Sequence, residues 1–200
     1  MQIGDGLRLY IMEFSRTKIL TMVFLFEGGS LFIAVLLANY LGISLLPFSH
    51  SPARDVAIGL IGTVLPFAFF LFSLSPMADK IKALVTLKKI VLSEVRAIFR
   101  NCSLNDLVVI SLLAGIGEEF LFRGVIQIKF GIVYASILFG LLHFVSPAYA
   151  IVTTIMGFYL GMIFQISGGL LAPVIIHFLY DLAALVYLRY YVKKEDGEIT

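Results

Sequence analysis

The chain has 200 residues, 60% hydrophobic and only 14% charged, with a mean hydropathy of +1.01. Soluble domains sit near roughly 45 to 50% apolar and about 25% charged, so a water-soluble globular fold is excluded and an all-α polytopic transmembrane bundle is expected. A formal net charge of +2, with the basic residues gathered in short clusters, excludes a nucleic-acid partner and suits a membrane surface.

A spanning helix needs roughly 20 mostly apolar residues, and the sequence predicts about six. The first covers 19–41, behind Arg8, Arg16 and Lys18; its apolar run is too long for a signal-peptide core, so it reads as a retained helix. The second covers 56–74, and Pro47, Pro52 and Pro76 punctuate its two flanks. The segment 78–100 differs in character. Lys80, Lys82, Lys88, Lys89, Arg96 and Arg100 alternate with Ile81, Leu84, Val85, Ile90, Val91, Leu92 and Phe99, the pattern of an amphipathic interfacial helix or of a solvated linker helix.

The third span covers 104–128 behind a candidate N-cap at Ser103, and Cys102, the only cysteine, rules out an internal disulfide or a thiolate metal cluster. A fourth, 131–144, stops before Ser146-Pro147; a fifth, 149–166, stops at Ser167-Gly168-Gly169; a sixth covers 170–192. The polar tail 193–200 is expected to fray. With six spans the basic clusters, Lys193 and Lys194 included, fall on one side and only Arg54 and Lys129 on the other, which places both termini in the cytoplasm. No repeat divides the chain, so residues 1–200 are read as a single integral membrane domain.

A charge near the bilayer centre costs about 2.5 to 3.5 kcal/mol even on the lenient insertion scale, so ionisable residues within spans are candidates for function. They collect in the second half: Glu118, Glu119 and Arg123 in the third span, His143 in the fourth, His177 and Asp181 in the sixth. At 1.5 Å rise per residue Glu118, His143, His177 and Asp181 all fall roughly 10 to 20 Å below the outer face, in one layer. His177 and Asp181 are i and i+4 and share a helix face. Glu119 and Arg123 have the same spacing and read first as a structural ion pair. Glu118, turned about 100° away, is the carboxylate left without a local partner and a candidate general base. His50, in the loop SHSP, reads as solvated. Glu27, a lone acid in the first span, is open to capping, snorkelling or lining the same cavity.

Three histidines, never four apart, exclude an H-E-x-x-H zincin, and a single deep aspartate excludes an aspartic dyad. Serine chemistry would need a G-x-S-x-G elbow around Ser136 or Ser167, and neither has one. What remains is E-E-x-x-x-R on one helix, F-x-x-x-H from Phe139 to His143 on the next, and H-x-x-x-D from His177 to Asp181.

These three motifs, in this order, resemble the CPBP family of intramembrane endopeptidases, which includes the type II CAAX prenyl endopeptidases and the bacterial Abi-type proteins. The likeness covers about 103–190. It implies that Glu118 and His143 position and deprotonate the attacking water, that His177 and Asp181 stabilise the oxyanion, and that Glu119 and Arg123 are a supporting pair. The family commonly has asparagine at the last position; a charged Asp181 cannot donate a hydrogen bond, so it is protonated, orients His177 or does something else.

The resemblance further implies a peptide substrate with a membrane-associated or lipidated tail and a prokaryotic cell membrane. No cofactor is expected, although Glu118, His143 and His177 would make an acceptable zinc shell. A non-catalytic scaffold of the same fold and an ion-coupled transporter are the other readings. The intact Glu118, His143 and His177 speak against the first, and the lack of an inverted repeat against the second.

Overall fold

The computed structural model describes residues 15–45 and 48–192. Arg8, Pro47 and the polar tail 193–200 with Lys193 and Lys194, and with them the chain termini, lie outside the described residues.

Helix α1 (Arg16–Leu41) is capped by Ser15, whose side chain accepts from the Lys18 N–H, and ends on Gly42 in the left-handed region. Helix α2 (Pro52–Leu74) follows, then a 3-10 turn (Pro76–Lys80) and the basic segment, built of α3 (Lys82–Ile90), a π turn (Val91–Val95) and α4 (Arg96–Phe99). Helix α5 (Leu104–Leu121) starts in a capping box between Ser103 and Asp106 and runs through a π turn (Phe122–Gln127) into α6 (Ile128–Leu142). Helices α7 (Pro147–Ser167) and α8 (Leu171–Val186) complete the bundle, α8 continuing as a π turn to Tyr191.

Among the described residues five helices are long and apolar enough to cross a membrane, and the third of them, Leu104–Leu142, contains 39 residues. Straight, it would be nearly 60 Å long, about twice the hydrocarbon core. It is not straight. Gly131 adopts φ 85 and ψ 164, a region closed to residues with a Cβ, and the chain doubles back there. Ile126 and Phe122 pack against Ala135 and Phe139, with the Phe122 and Phe139 rings 4.9 Å apart. The third and fourth expected spans are thus the arms of one helical hairpin. The second arm is short: from Gly131 to Leu142 it rises about 18 Å, a little over half a crossing. Each step of four residues away from the turn brings the next pair face to face, and the step beyond Phe122 and Phe139 brings Glu118 to His143.

The other helices hold this hairpin by close backbone contacts. Helix α1 runs parallel to α5, with Arg16 bidentate on Asp106 at one end and Ala34 and Ala38 on Val125 at the other. Between them a Cβ on Gly117 would lie 2.5 Å from the Glu27 carbonyl oxygen. Helix α2 lies on α8, where a Cβ on Gly59 would meet Ile175 and one on Gly62 would meet Ile176. Helix α7 packs antiparallel on α6, with Gly157 against Ser136 and Gly161 against Ile132 and Gln127.

The two ends of the bundle differ. At one lie Arg16, the 76–103 segment and Val192, whose carbonyl accepts from Arg96. At the other, Leu170 donates to the Phe48 carbonyl, Arg54 to the Ser167 carbonyl and Ser49 to the buried Asp55. The described members of the basic clusters therefore share one end, as the charge pattern requires. The apolar face of the basic segment, read as an interfacial or a solvated linker helix, packs on protein. Leu84, Leu87 and Val91 pack on Phe70, Ala184 and Leu188, so the helix is docked on the bundle, and Lys82 and Lys89 remain exposed. Cys102 is buried beside Arg16 and Leu107; burial, with Asp106 nearby, pushes its thiol above the ordinary range and makes it inert.

Gly131→Ala should cost about 1 to 3 kcal/mol, read as a lower unfolding temperature in detergent. Gly28→Ala, in a helix and with nothing within 4 Å of the new Cβ, should leave that temperature unchanged or raise it.

Candidate active site

The site begins with a buried charge. Arg123 is 1% exposed and Glu119 0%, and Nη1 of the arginine lies 3.0 Å from Oε1 of the glutamate one turn before it. A guanidinium has five N–H donors and a single carboxylate cannot satisfy them. The π turn at Phe122–Gln127 aims a second nitrogen at α7, where Nη2 donates to the Gly157 carbonyl at 3.0 Å, while the buried Nε has no hydrogen-bond partner among the described residues. Gly157 is a glycine because α6 leaves no room for a Cβ at that point, and the same closeness brings its carbonyl within reach. The guanidinium carbon also stands 4.8 Å from the centre of the Phe139 ring.

Glu119 has a second partner. His177 Nδ1 sits 2.8 Å from the same Oε1, so the glutamate holds α8 as well as its own helix. The sequence had suggested only an ion pair. The role of Glu119 in orienting an imidazole was invisible because it joins residues 58 positions apart.

Both imidazoles are fixed in the same sense. A carboxylate and a peptide carbonyl are acceptors, so Nδ1 carries the proton in each ring: His177 donates to Glu119, and His143 donates to the Phe139 carbonyl at 2.8 Å. The F-x-x-x-H spacing explains the second bond. It places the histidine at the C-cap of α6, over the carbonyl one turn back, with its ring stacked on Phe139 at 4.4 Å between centroids. Each ring then turns Nε2 toward Glu118. His143 Nε2 is 3.5 Å from Glu118 Oε1, and His177 Nε2 is 3.9 Å from Oε2. Asp181 Oδ2 stands 3.5 Å from the same His177 nitrogen.

The structure therefore brings Glu118, His143, His177 and Asp181 into one cluster, with Glu119 and Arg123 behind it. His50 is exposed, as expected of a loop residue. Glu27 takes the last of its three options and lines a cavity with Glu118 and Asp181. Tyr149 and Tyr180 also border the site, although neither carries a motif that sequence could flag.

Two cavities meet at Glu118. The larger, about 530 Å³, holds both imidazoles and continues between α2 and α7 along Leu65, Pro66, Ile155, Met156 and Met162. The smaller, about 270 Å³, runs from Glu118 past Glu27 to Leu87, Val91, Val95 and Phe99 of the basic segment. As for a metal, no three His, Cys, Asp or Glu side chains among the described residues are arranged to hold an ion. The chemistry that the placed groups offer is that of a carboxylate between two oriented imidazoles.

Residues 100–183 match the family model described as type II CAAX prenyl endopeptidase Rce1-like. The resemblance read from the three motifs is borne out over that segment, which contains every residue of the cluster. A relative, the uncharacterized protein YpbD of Bacillus subtilis (strain 168), is 32% identical over 104 residues, which is 50% of this chain and 55% of that protein. The chain thus spans about half the length of the curated relative that it matches. No solved structure matches.

Arg123→Met would take the cation away from the buried Glu119, leaving it the His177 N–H as a partner, and should cost about 3 to 5 kcal/mol. A loss of monodisperse protein on detergent size exclusion, against normal yield for Arg100→Met at the exposed basic end, is the expected result.

Proposed function

From the family match across residues 100–183, we propose that this integral membrane protein is an intramembrane endopeptidase, hydrolysing a peptide bond near the membrane-associated or lipidated tail of its substrate. The single observation that carries this reading is Glu118 standing between two imidazole Nε2 atoms at 3.5 and 3.9 Å. Peptide hydrolysis needs an activated water and stabilisation of charge on the carbonyl oxygen. Glu118 and the two rings can supply both.

A water between Glu118 and His143 gives one proton to the carboxylate as its oxygen bonds to the substrate carbonyl carbon. Its other hydrogen is accepted by His143 Nε2, which the Phe139 carbonyl keeps free of a proton in the neutral ring. The carbonyl oxygen takes the negative charge beside His177. In its imidazolium form His177 donates Nδ1–H to Glu119 and Nε2–H to that oxyanion. Asp181 acts through His177, as a carboxylate flanking the imidazolium, rather than as a donor. The C–N bond then breaks as Glu118 returns its proton to the leaving nitrogen, and one carboxylic acid and one amine are released.

The apolar length of the larger cavity supports a substrate presented from the bilayer, with its lipid-like flank between α2 and α7. The basic clusters at the other end of the bundle support a cytoplasmic placement of that end. The family resemblance supports a prokaryotic cell membrane. Glu118, His143 and His177 would be the ligands if zinc were required; the proposed steps use no metal.

Glu118→Gln should lower cleavage by about two to four orders of magnitude while leaving the unfolding temperature near that of the native protein. Membrane peptidomes from cells carrying the native protein and the variant are the direct comparison, and an absence of any differing product would refute the endopeptidase reading. Activity of the purified protein should withstand a chelator; loss restored by added zinc would assign the three ligands a metal role.

A further inference from the structure

Glu27 is the carboxylate at the site that the hydrolytic scheme does not use. It lies on α1, outside the segment that matches the family. Its place is nevertheless built. Gly117 lets α1 approach α5 until the Glu27 backbone carbonyl is 2.5 Å from where a Cβ would stand, one residue before Glu118. The Glu27 side chain enters the smaller cavity, and its Oε2 is buried with no hydrogen-bond partner among the described residues.

The two cavities differ in charge. Glu118 and Asp181 line both; the larger adds both imidazoles, whereas the smaller adds Glu27 and no Arg, Lys or His. The charged groups near Glu27 are Glu118 and Glu119 on α5, Arg123 just beyond it, His143 at the end of α6, and His177 and Asp181 on α8. Even with both rings protonated, four carboxylates face three cations. A chain that passes Glu118 from the larger cavity has its next residues beside Glu27. A cationic side chain there supplies the positive charge that the four carboxylates lack, and an anionic one meets like charge.

Resting on the endopeptidase reading, we propose that Glu27 is a specificity-determining residue, selecting substrates that carry a Lys or Arg next to the scissile bond on the flank that lies in the smaller cavity. The cavity's path to the basic segment gives that flank an outlet at the bundle end, where a released cationic product reaches water.

The test uses the full-length protein in nanodiscs and short N-palmitoylated peptides in which Lys, Gln or Glu is placed in turn at each position flanking the cleaved bond. One position should favour Lys over Glu by about tenfold or more in kcat/KM. In Glu27→Gln this preference should fall to within about threefold, and in Glu27→Lys it should reverse, each read as the ratio of Lys-peptide to Glu-peptide cleavage within one variant. The same peptides are also bound, without cleavage, to Glu118→Gln and to the Glu118→Gln, Glu27→Gln double variant. A Lys preference in binding that the double variant loses supports the role of Glu27 even if the native protein cleaves nothing, in which case the endopeptidase reading alone fails. No charge preference at any position, or a preference that survives Glu27→Gln, overturns the proposal.

Discussion

The structure depends on one carboxylate oxygen. Oε1 of Glu119 accepts from Arg123 at 3.0 Å and from His177 at 2.8 Å, so it ties α5 to α8, and through the arginine to the Gly157 carbonyl of α7. Burying a carboxylate and a guanidinium in a membrane protein is expensive, and the cost is offset only if each finds fixed partners. That requirement sets the geometry around it. The π turn aims the arginine, Gly157 brings α7 near enough to offer a carbonyl, and the His177 ring is held in one tautomer. The reactive layer one residue before Glu119 inherits this rigidity without having to supply it, which leaves Glu118 with no strong bond of its own.

Much of this was legible in the sequence because membranes make charge conspicuous. Six ionisable residues in three apolar stretches could hardly be incidental, and their i, i+4 spacings already said which shared a face. Gly131 was legible as a boundary, although not as the pivot of a hairpin whose register delivers His143 to Glu118. What could not be read is tertiary. The double role of Glu119 joins two helices far apart in sequence. The parallel packing of α1 on α5, which decides what Glu27 is for, rests on the missing side chain of Gly117. The basic segment has the composition of a lipid-facing helix, but Phe70 and Leu188 compete for its apolar stripe and win.

Glycine does more here than relieve strain. Gly59, Gly62, Gly117, Gly140, Gly157 and Gly161 all stand where a Cβ would meet a neighbouring helix. In lipid the hydrophobic effect gives helices little reason to associate, so close approach and carbonyl acceptance have to take its place. Two of these contacts, Gly157 to Arg123 and Gly161 to Gln127, convert closeness into a hydrogen bond from a buried polar side chain. The hydrogen-bonded residues and the small residues are therefore parts of one device, and neither would be tolerated without the other.

The short arm of the hairpin bears on how water is obtained. Helix α6 stops at Leu142 after little more than half a crossing, and of the four residues His143 to Ser146 that join it to α7, the first two still donate back to the Phe139 and Leu141 carbonyls. Irregular backbone at that depth is stable only if it faces protein or a hydrated space. An unfinished helix thus asks for polar surroundings where a complete span would not, and it asks for them beside His143. For the hydrolysis proposed above, water is then wanted at the very place where the helix gives out.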